Sequence, residues 1–259
     1  MTKEATSHSP IQRPKRILLL GGTGDSRALA ERLAGRGDVE VISSLAGRTE
    51  RPATIPGGLR IGGFGGAEAL ADYLTEERID LLVDATHPFA ARITDNAEAA
   101  CRLSGTPRLL VERPPWHAVA GDNWIRVADA EAAADALPSL AERVFLSVGR
   151  QEIEAFSALP RIWFLVRMID APRGALPLHR SEVVLGRGPF DEDGERALFL
   201  LHGIQAVVTK NSGGEATYAK IAVARELRLP VVMIERPPHR AGETAASVAE
   251  ALAWIHARL

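Results

Sequence analysis

Arg16-Ile17-Leu18-Leu19-Leu20-Gly21-Gly22-Thr23-Gly24-Asp25-Ser26-Arg27 decides how the rest of the chain is read. Arg16 to Leu20 is a short apolar run that predicts a buried strand. Asp25 to Ala34 follows with Ala28, Leu29 and Leu33 at helical spacing, and Gly35 and Gly37 end it. Between the two lies a glycine turn. Glycine lets the backbone turn tightly and lets an anion approach the amides. The N–H groups of the first helical turn then face that anion, helped by the helix dipole. This is where a dinucleotide pyrophosphate binds in a strand–turn–helix unit. Gly22-x-Gly24 matches the first two glycines of G-x-G-x-x-G, while Arg27 holds the third place. The competing reading is a plain glycine-rich turn.

Outward from this unit, short apolar strands alternate with amphipathic helices. Strands are expected at Val39 to Ser43, Leu59 to Ile61, Ile79 to Asp84 and Arg108 to Val111, with helices at Ala67 to Glu77 and Ala90 to Leu103. The second half repeats the plan. Its strands are expected at Arg143 to Val148, Arg161 to Arg167, Glu182 to Leu185, Gln205 to Thr209 and Val231 to Ile234. Its helices are expected at Gln151 to Ala158, Glu192 to Leu201, Gly214 to Leu227 and Ala245 to Ala257. Such alternation means βαβ units and a mainly parallel sheet.

The halves also align with each other. Arg16 pairs with Arg143 and Leu81-Leu82-Val83 with Ala206-Val207-Val208, and Glu112-Arg113-Pro114-Pro115 recurs as Glu235-Arg236-Pro237-Pro238. The fold expected is therefore α/β, with two Rossmann-like lobes related by internal duplication and an active-site cleft between them. Residues 1–14 are expected as a disordered tail, 15–120 as the nucleotide-binding domain and 121–259 as the substrate domain, with the boundary inside Gly121 to Pro138.

Composition narrows the classes. Among 259 residues, 46% are hydrophobic and 25% charged, which suits a globular chain and excludes a disordered one. With 31 basic and 33 acidic residues, a general nucleic-acid binder is excluded. The single cysteine, Cys101, rules out an internal disulfide framework and a multi-cysteine zinc site, and no metal is expected. Cys101 itself falls among Ala97 and Ala100 on a helix and reads as packing. No apolar run approaches the roughly 20 residues that a spanning helix needs, and the polar N-terminus is no secretory signal. No membrane contact and a cytoplasmic location are the expectation.

Four groups of residues carry the expected chemistry. Gly22, Thr23, Gly24, Asp25 and Ser26 form the pyrophosphate turn. Ser43, Ser44 and Arg48 follow the second strand, where NAD-binding folds usually place an acid on the ribose. Hydroxyls and a guanidinium suit a 2′-phosphate instead, so NADPH is expected over NADH. The third group is Asp84-Ala85-Thr86-His87-Pro88-Phe89-Ala90 at a strand end, with Thr86 as a cofactor contact and His87 as a proton source or substrate donor. The fourth is Thr209-Lys210-Asn211-Ser212-Gly213-Gly214, read as an anion-binding nest in which Lys210, Ser212 and Gly213 meet phosphate or carboxylate. Arg113, Arg150 and Arg167 follow other strand ends and are expected at the rim. No metalloprotease, nucleophile-elbow or P-loop motif appears.

The order Gly-Gly-Thr at the first turn, Asp84 to Ala90, the two Glu-Arg-Pro-Pro phrases and Thr209 to Gly214 resembles the precorrin-6A reductase family of cobalamin biosynthesis, from Arg16 to the last helix. Many relatives carry Thr-Glu where this chain has Gly24-Asp25. The resemblance implies NADPH-dependent reduction of one double bond in the precorrin-6A macrocycle, giving precorrin-6B, with no metal or flavin in the enzyme. The implied partner is a tetrapyrrole with many carboxylates, which Arg113, Arg150, Arg167, Lys210 and the loop amides would bind, with His87 and then Lys210 as proton source. Transient contact with neighbouring pathway enzymes is a further expectation. Two alternatives compete: an NADPH-dependent reductase of a smaller carboxylic acid, and a non-catalytic NADP-sensing module. The His-His signature of one small-acid reductase family is absent, and a sensor would not need the anion-rich second half.

Overall fold

The computed structural model describes residues 13–47, 55–237 and 242–259. They form two units, one of residues 13–47, 55–112 and 242–259, the other of residues 113–237.

In the first unit β1 (Lys15–Leu20) is central. Around it lie β2 (Val39–Leu45), β3 (Gly58–Ile61), β4 (Leu81–Asp84), β5 (Arg108–Val111) and β12 (Glu243–Ala245), in the order β12-β5-β4-β1-β2-β3. Every pair is parallel. The run Ile17 to Leu20 is apolar throughout because helices cover both faces of the strand. Ile17 and Leu19 pack with Leu29 and Leu33 of α1 (Gly24–Leu33) and with Ala251 and Ile255 of α7 (Val248–His256). Leu18 and Leu20 pack on the other side with Leu70 and Leu74 of α2 (Ala67–Glu76) and Ala97 of α3 (Ala91–Ser104). Cys101 is buried in the same cluster, where burial pushes its thiol up to about 12.

The second unit repeats this arrangement around β7 (Arg143–Ser147). Its other strands are β6 (Trp124–Val127), β8 (Trp163–Met168), β9 (Ser181–Leu185), β10 (Ala206–Lys210) and β11 (Val231–Ile234), in the order β6-β11-β10-β7-β8-β9, all parallel. Phe145, Leu165, Val207 and Met233 face Phe199 of α5 (Glu192–His202) and Ile221 of α6 (Ala219–Glu226). Both sheets reverse strand order beside their central strand, β1 or β7, which places each unit's binding position beyond the carboxyl ends there.

The division of the chain departs from the expected one. The stretch between Gly121 and Pro138 is no linker: it contains β6 and α4 (Ala130–Ala136), which complete the second sheet. The last residues are not part of the second unit, because β12 and α7 complete the first sheet. Each half thus supplies a sixth strand and its helix to the other half's sheet. The boundary moves to Glu112 and Arg113. Pro114 and Pro115 have no amide to continue a ladder, so the first sheet's β5 stops there and the chain passes on. The second Glu-Arg-Pro-Pro phrase stands after β11, at the corresponding return, with Pro238 outside the described residues. Of the expected tail, residues 1–12 also lie outside them, while Arg13 forms an ion pair with Asp80.

Two helices also differ from expectation. Arg150–Phe156 is a 3-10 segment, with Glu152 N–H bonded to Gly149 O. The helix expected from Gly214 starts only at Ala219, because Gly213 and Gly214 hold left-handed φ values of 65° and 75°.

Candidate functional site

In the first unit the glycine turn is fastened by its own side chains. Thr23 caps α1 by accepting the Ser26 N–H at 3.1 Å, and its hydroxyl donates to Ala85 O at 2.7 Å. That second bond ties the turn to the end of β4. The Ser26 hydroxyl accepts the N–H groups of Gly22 and Thr23, each at 3.1 Å, and donates to Thr23 O. Gly21 N–H is bonded to Ser44 O. An anion at this turn would therefore meet the Gly24 N–H rather than the amides of Gly21, Gly22, Thr23 or Ser26. A Cβ built at Gly22 or Gly24 would meet nothing within 4 Å, so the approach is open. Ser26 is buried and shapes the turn instead of facing solvent.

Ser43 and Ser44 are also buried. β2 runs on to Leu45 because β3 pairs with it through Ser44↔Arg60 and Leu45↔Ile61, so both serines lie within the strand. Arg48 lies outside the described residues. Sequence reasoning passed over Arg60, beside Ser44. Its guanidinium lies 3.7 Å from the Phe64 ring centroid and donates to Gly62 O and Gly63 O. It thereby organises Gly62 to Gly66, a second glycine-rich turn that the sequence displayed openly.

At the end of β4, Asp84 is fully buried, and one carboxylate oxygen accepts both the N–H and the hydroxyl of Thr86, at 3.1 and 2.7 Å. The Thr86 oxygen, its proton so engaged, is left as an acceptor. His87 Nδ1 accepts the Phe89 N–H at 3.3 Å, which puts the proton of neutral His87 on Nε2. The glycine turn, Thr86 and His87 thus share the carboxyl edge of β1 and β4.

In the second unit, Lys210 ends β10 and forms an ion pair with Glu152, a residue absent from the expected set. Asn211, 2% exposed, accepts Trp116 N–H at 2.8 Å and donates to Trp116 O at 3.1 Å. Trp116 Nε1–H then donates to Gly214 O. Arg113 Nε–H donates to Ser212 O and Gly213 O, at 2.8 and 3.0 Å. Arg236 Nε–H donates to Asn211 O and its Nη1–H to Arg113 O. The two Glu-Arg-Pro-Pro arginines therefore hold this loop by its carbonyls. Arg113, expected on substrate carboxylates, is a loop clamp, because the left-handed glycines turn those carbonyls towards it.

Arg167 is likewise engaged internally. Its guanidinium bonds Glu195 at 2.6 Å and lies between the rings of Phe145 and Phe190, with side chains 11% and 2% exposed. A buried carboxylate needs such a partner, so Arg167 is neutralised inside the unit. Beside this pair Lys220 is buried, donating to Thr217 O and facing the Trp116 ring. Of the expected rim cations, Arg150 is exposed.

Two all-parallel sheets of one strand order, one with a glycine turn at its switch point, define a protein of two Rossmann-like units. A profile of the family "Precorrin-6x reductase CbiJ/CobK" matches residues 16–256. The precorrin-6A reductase of Rhodococcus erythropolis is 50% identical over 93% of this chain and 97% of its own length. That of Rhodobacter capsulatus is 45% identical over 93% and 95%. The cobalt-precorrin-6A reductase of Priestia megaterium is 31% identical over 85% and 90%. A solved structure described as CobK precorrin-6A reductase superposes with a TM-score of 0.89 at 44% identity, covering 94% of this chain and 97% of that one. The chain belongs to the precorrin-6x reductase family.

Proposed function

We propose that this protein reduces one double bond of the precorrin-6A macrocycle with NADPH, giving precorrin-6B in cobalamin biosynthesis. The observation that carries the reading is the family match across residues 16–256, which takes in both units and all four expected groups of residues. Relatives of 45–50% identity are named precorrin-6A reductases, against 31% for the cobalt-precorrin-6A reductases, which favours the cobalt-free substrate.

The first unit takes the cofactor. Gly22, Thr23, Gly24 and Asp25 form the pyrophosphate seat, supported from below by Ser26. Thr86 offers an acceptor, Arg48 is the residue proposed to select a 2′-phosphate, and Ser43 and Ser44, buried within β2, support the strand rather than meet the ligand. When bound, NADPH supplies the hydride, and the protein supplies binding and orientation. The open approach at Gly22 and Gly24 and the Gly24 N–H fit such a group. His87 delivers the proton from Nε2 to the carbon beside the one reduced, with Lys210 as the second source. Arg150, Lys210 and the Ser212-Gly213 loop receive substrate carboxylates in the second unit.

The test is anaerobic incubation with precorrin-6A and either NADPH or NADH, following nicotinamide absorbance and macrocycle mass. The expected product is heavier by about two mass units, formed faster with NADPH. A macrocycle of unchanged mass with both cofactors refutes the activity, and equal rates refute the 2′-phosphate reading.

Gly24→Val gives a second check. An added Cβ meets no protein atom within 4 Å, so the melting temperature should stay near wild type. The phosphate approach would be blocked, and NADPH affinity should fall by at least about tenfold in a titration, some 1.4 kcal/mol. Unchanged affinity would remove the pyrophosphate from this turn.

A further inference from the structure

The ion pair between Lys210 and Glu152 stands at the carboxyl edge of the second sheet, where β7 and β10 adjoin. Glu152 lies in the 3-10 segment after β7, and its carboxylate folds back over Gly149. A Cβ at Gly149 would collide with Glu152 Oε2 and come within 3.5 Å of Lys210 Nζ. A side chain at 149 would push the Glu152 carboxylate aside, so glycine leaves room for the carboxylate to lie over the turn.

The two units fasten this turn differently. In the first, the third residue of the helix, Ser26, takes the turn's amides on a neutral hydroxyl, and Thr23 reaches Ala85 at the end of β4. In the second, the third residue of the 3-10 segment is Glu152, and it reaches Lys210 at the end of β10 with a full charge. Strand register makes these positions equivalent, since Leu20 pairs with Asp84 and Ser147 with Thr209, each one residue before Ala85 or Lys210.

The pair also differs from the other ion pair at this edge. Arg167 and Glu195 are enclosed, at 11% and 2% exposure. Lys210 is about as covered as Arg167, at 13%, but its partner Glu152 is 31% exposed where Glu195 is enclosed. Among the described residues, Lys210 is the side-chain partner of the Glu152 carboxylate. A substrate carboxylate that takes the ammonium adds one negative charge, and the displaced Glu152 carboxylate must turn to solvent; its 31% exposure lets water take that charge, so the exchange costs on the scale of a part-exposed pair.

We propose that Glu152 is an internal carboxylate that holds Lys210 in place and is displaced by a carboxylate of the substrate, making Gly149, Glu152 and Lys210 an exchangeable carboxylate site. The inference rests on the proposed tetrapyrrole substrate and adds a specificity role for Glu152. The cation stays paired in the free protein, and only a ligand that brings its own anion to that position takes it over. A macrocycle lacking that carboxylate would have to leave the internal pair intact.

The test compares full-length wild type, Glu152→Gln and Lys210→Met. Two quantities are read: the dissociation constant of uroporphyrin, a stable tetrapyrrole with eight carboxylates, by fluorescence quenching, and KM and kcat for precorrin-6A. Removing the internal competitor should tighten uroporphyrin binding and lower KM by about fivefold, the scale of a part-exposed ion pair. Lys210→Met should weaken both by a similar factor. A merely structural Glu152 would instead misplace Lys210, so weaker or unchanged binding in Glu152→Gln overturns the exchange while leaving the reductase reading standing. If wild type neither binds uroporphyrin nor acts on precorrin-6A, the functional reading fails and this site falls with it.

Discussion

Asn211→Leu is expected to lower stability by about 2–5 kcal/mol, with a fall in melting temperature of roughly 5–15 °C. Asn211 is 2% exposed, and its amide satisfies both the N–H and the C=O of Trp116. Leucine has the same number of side-chain heavy atoms but a bulkier end, so some overpacking adds to the main loss, which is that two buried backbone groups lose their partners. Each orphaned group costs about 1–3 kcal/mol, which exceeds anything the added apolar surface returns. The consequence reaches the candidate site, because Trp116 Nε1–H holds Gly214 O at the far end of the same loop. Thermal melts followed by circular dichroism give the magnitude. A loss below about 1 kcal/mol would mean that this bond pair does not hold the loop.

Lys220→Met is expected to act in the opposite sense and to carry a pH signature. Burial, opposed by Glu195 and aided by Arg167, brings the Lys220 ammonium down to about 7. The unfolded chain holds this proton up to about 10.5, so between about pH 7 and 10.5 it binds a proton that the folded state does not. Stability therefore rises with pH across that window, and the full penalty of the buried charge applies below it. Methionine fills a similar volume and leaves Glu195 paired with Arg167. At pH 7 the variant should be more stable by about 1–4 kcal/mol, as when buried charges elsewhere give way to apolar groups. It should also lose the rise between pH 7 and 10 that wild type shows in urea unfolding. A variant that is less stable at pH 7, or that keeps the slope, would show that Lys220 contributes more through Thr217 O and the Trp116 ring than its burial costs.

Much of this protein was legible in one dimension, and the reasons are local. A strand covered on both faces must be apolar throughout, so Ile17 to Leu20, Leu81 to Val83 and Val231 to Ile234 stand out in the sequence. A tight turn between strand and helix needs glycine, so Gly22 and Gly24 mark the switch point of the first sheet. The loops after β4 and β10 were found because chemistry-bearing residues at strand ends interrupt an apolar pattern. Arg60 could have been found too, since the glycines that follow it are as conspicuous as the first turn.

What depended on partners distant in the chain was not legible. Arg113, Arg167 and Lys210 are cations at strand ends, and the sequence gives no means of telling one that waits for a ligand from one already neutralised. Their partners, Ser212 and Gly213, Glu195, and Glu152, lie roughly 30 to 100 residues away, and only folding brings them near. The crossing of the terminal strands was hidden for the same reason. Trp124–Val127 is too short to declare a sheet, Glu243–Ala245 is shorter still and polar, and strand pairing is settled by which edge is open when the rest has folded. The sequence alone determined the class of fold, the glycine turn and the repeat, because these rest on local backbone and periodicity. The tertiary structure alone decided which half completes which sheet and which charges are already paired, because those depend on contacts made across the length of the chain.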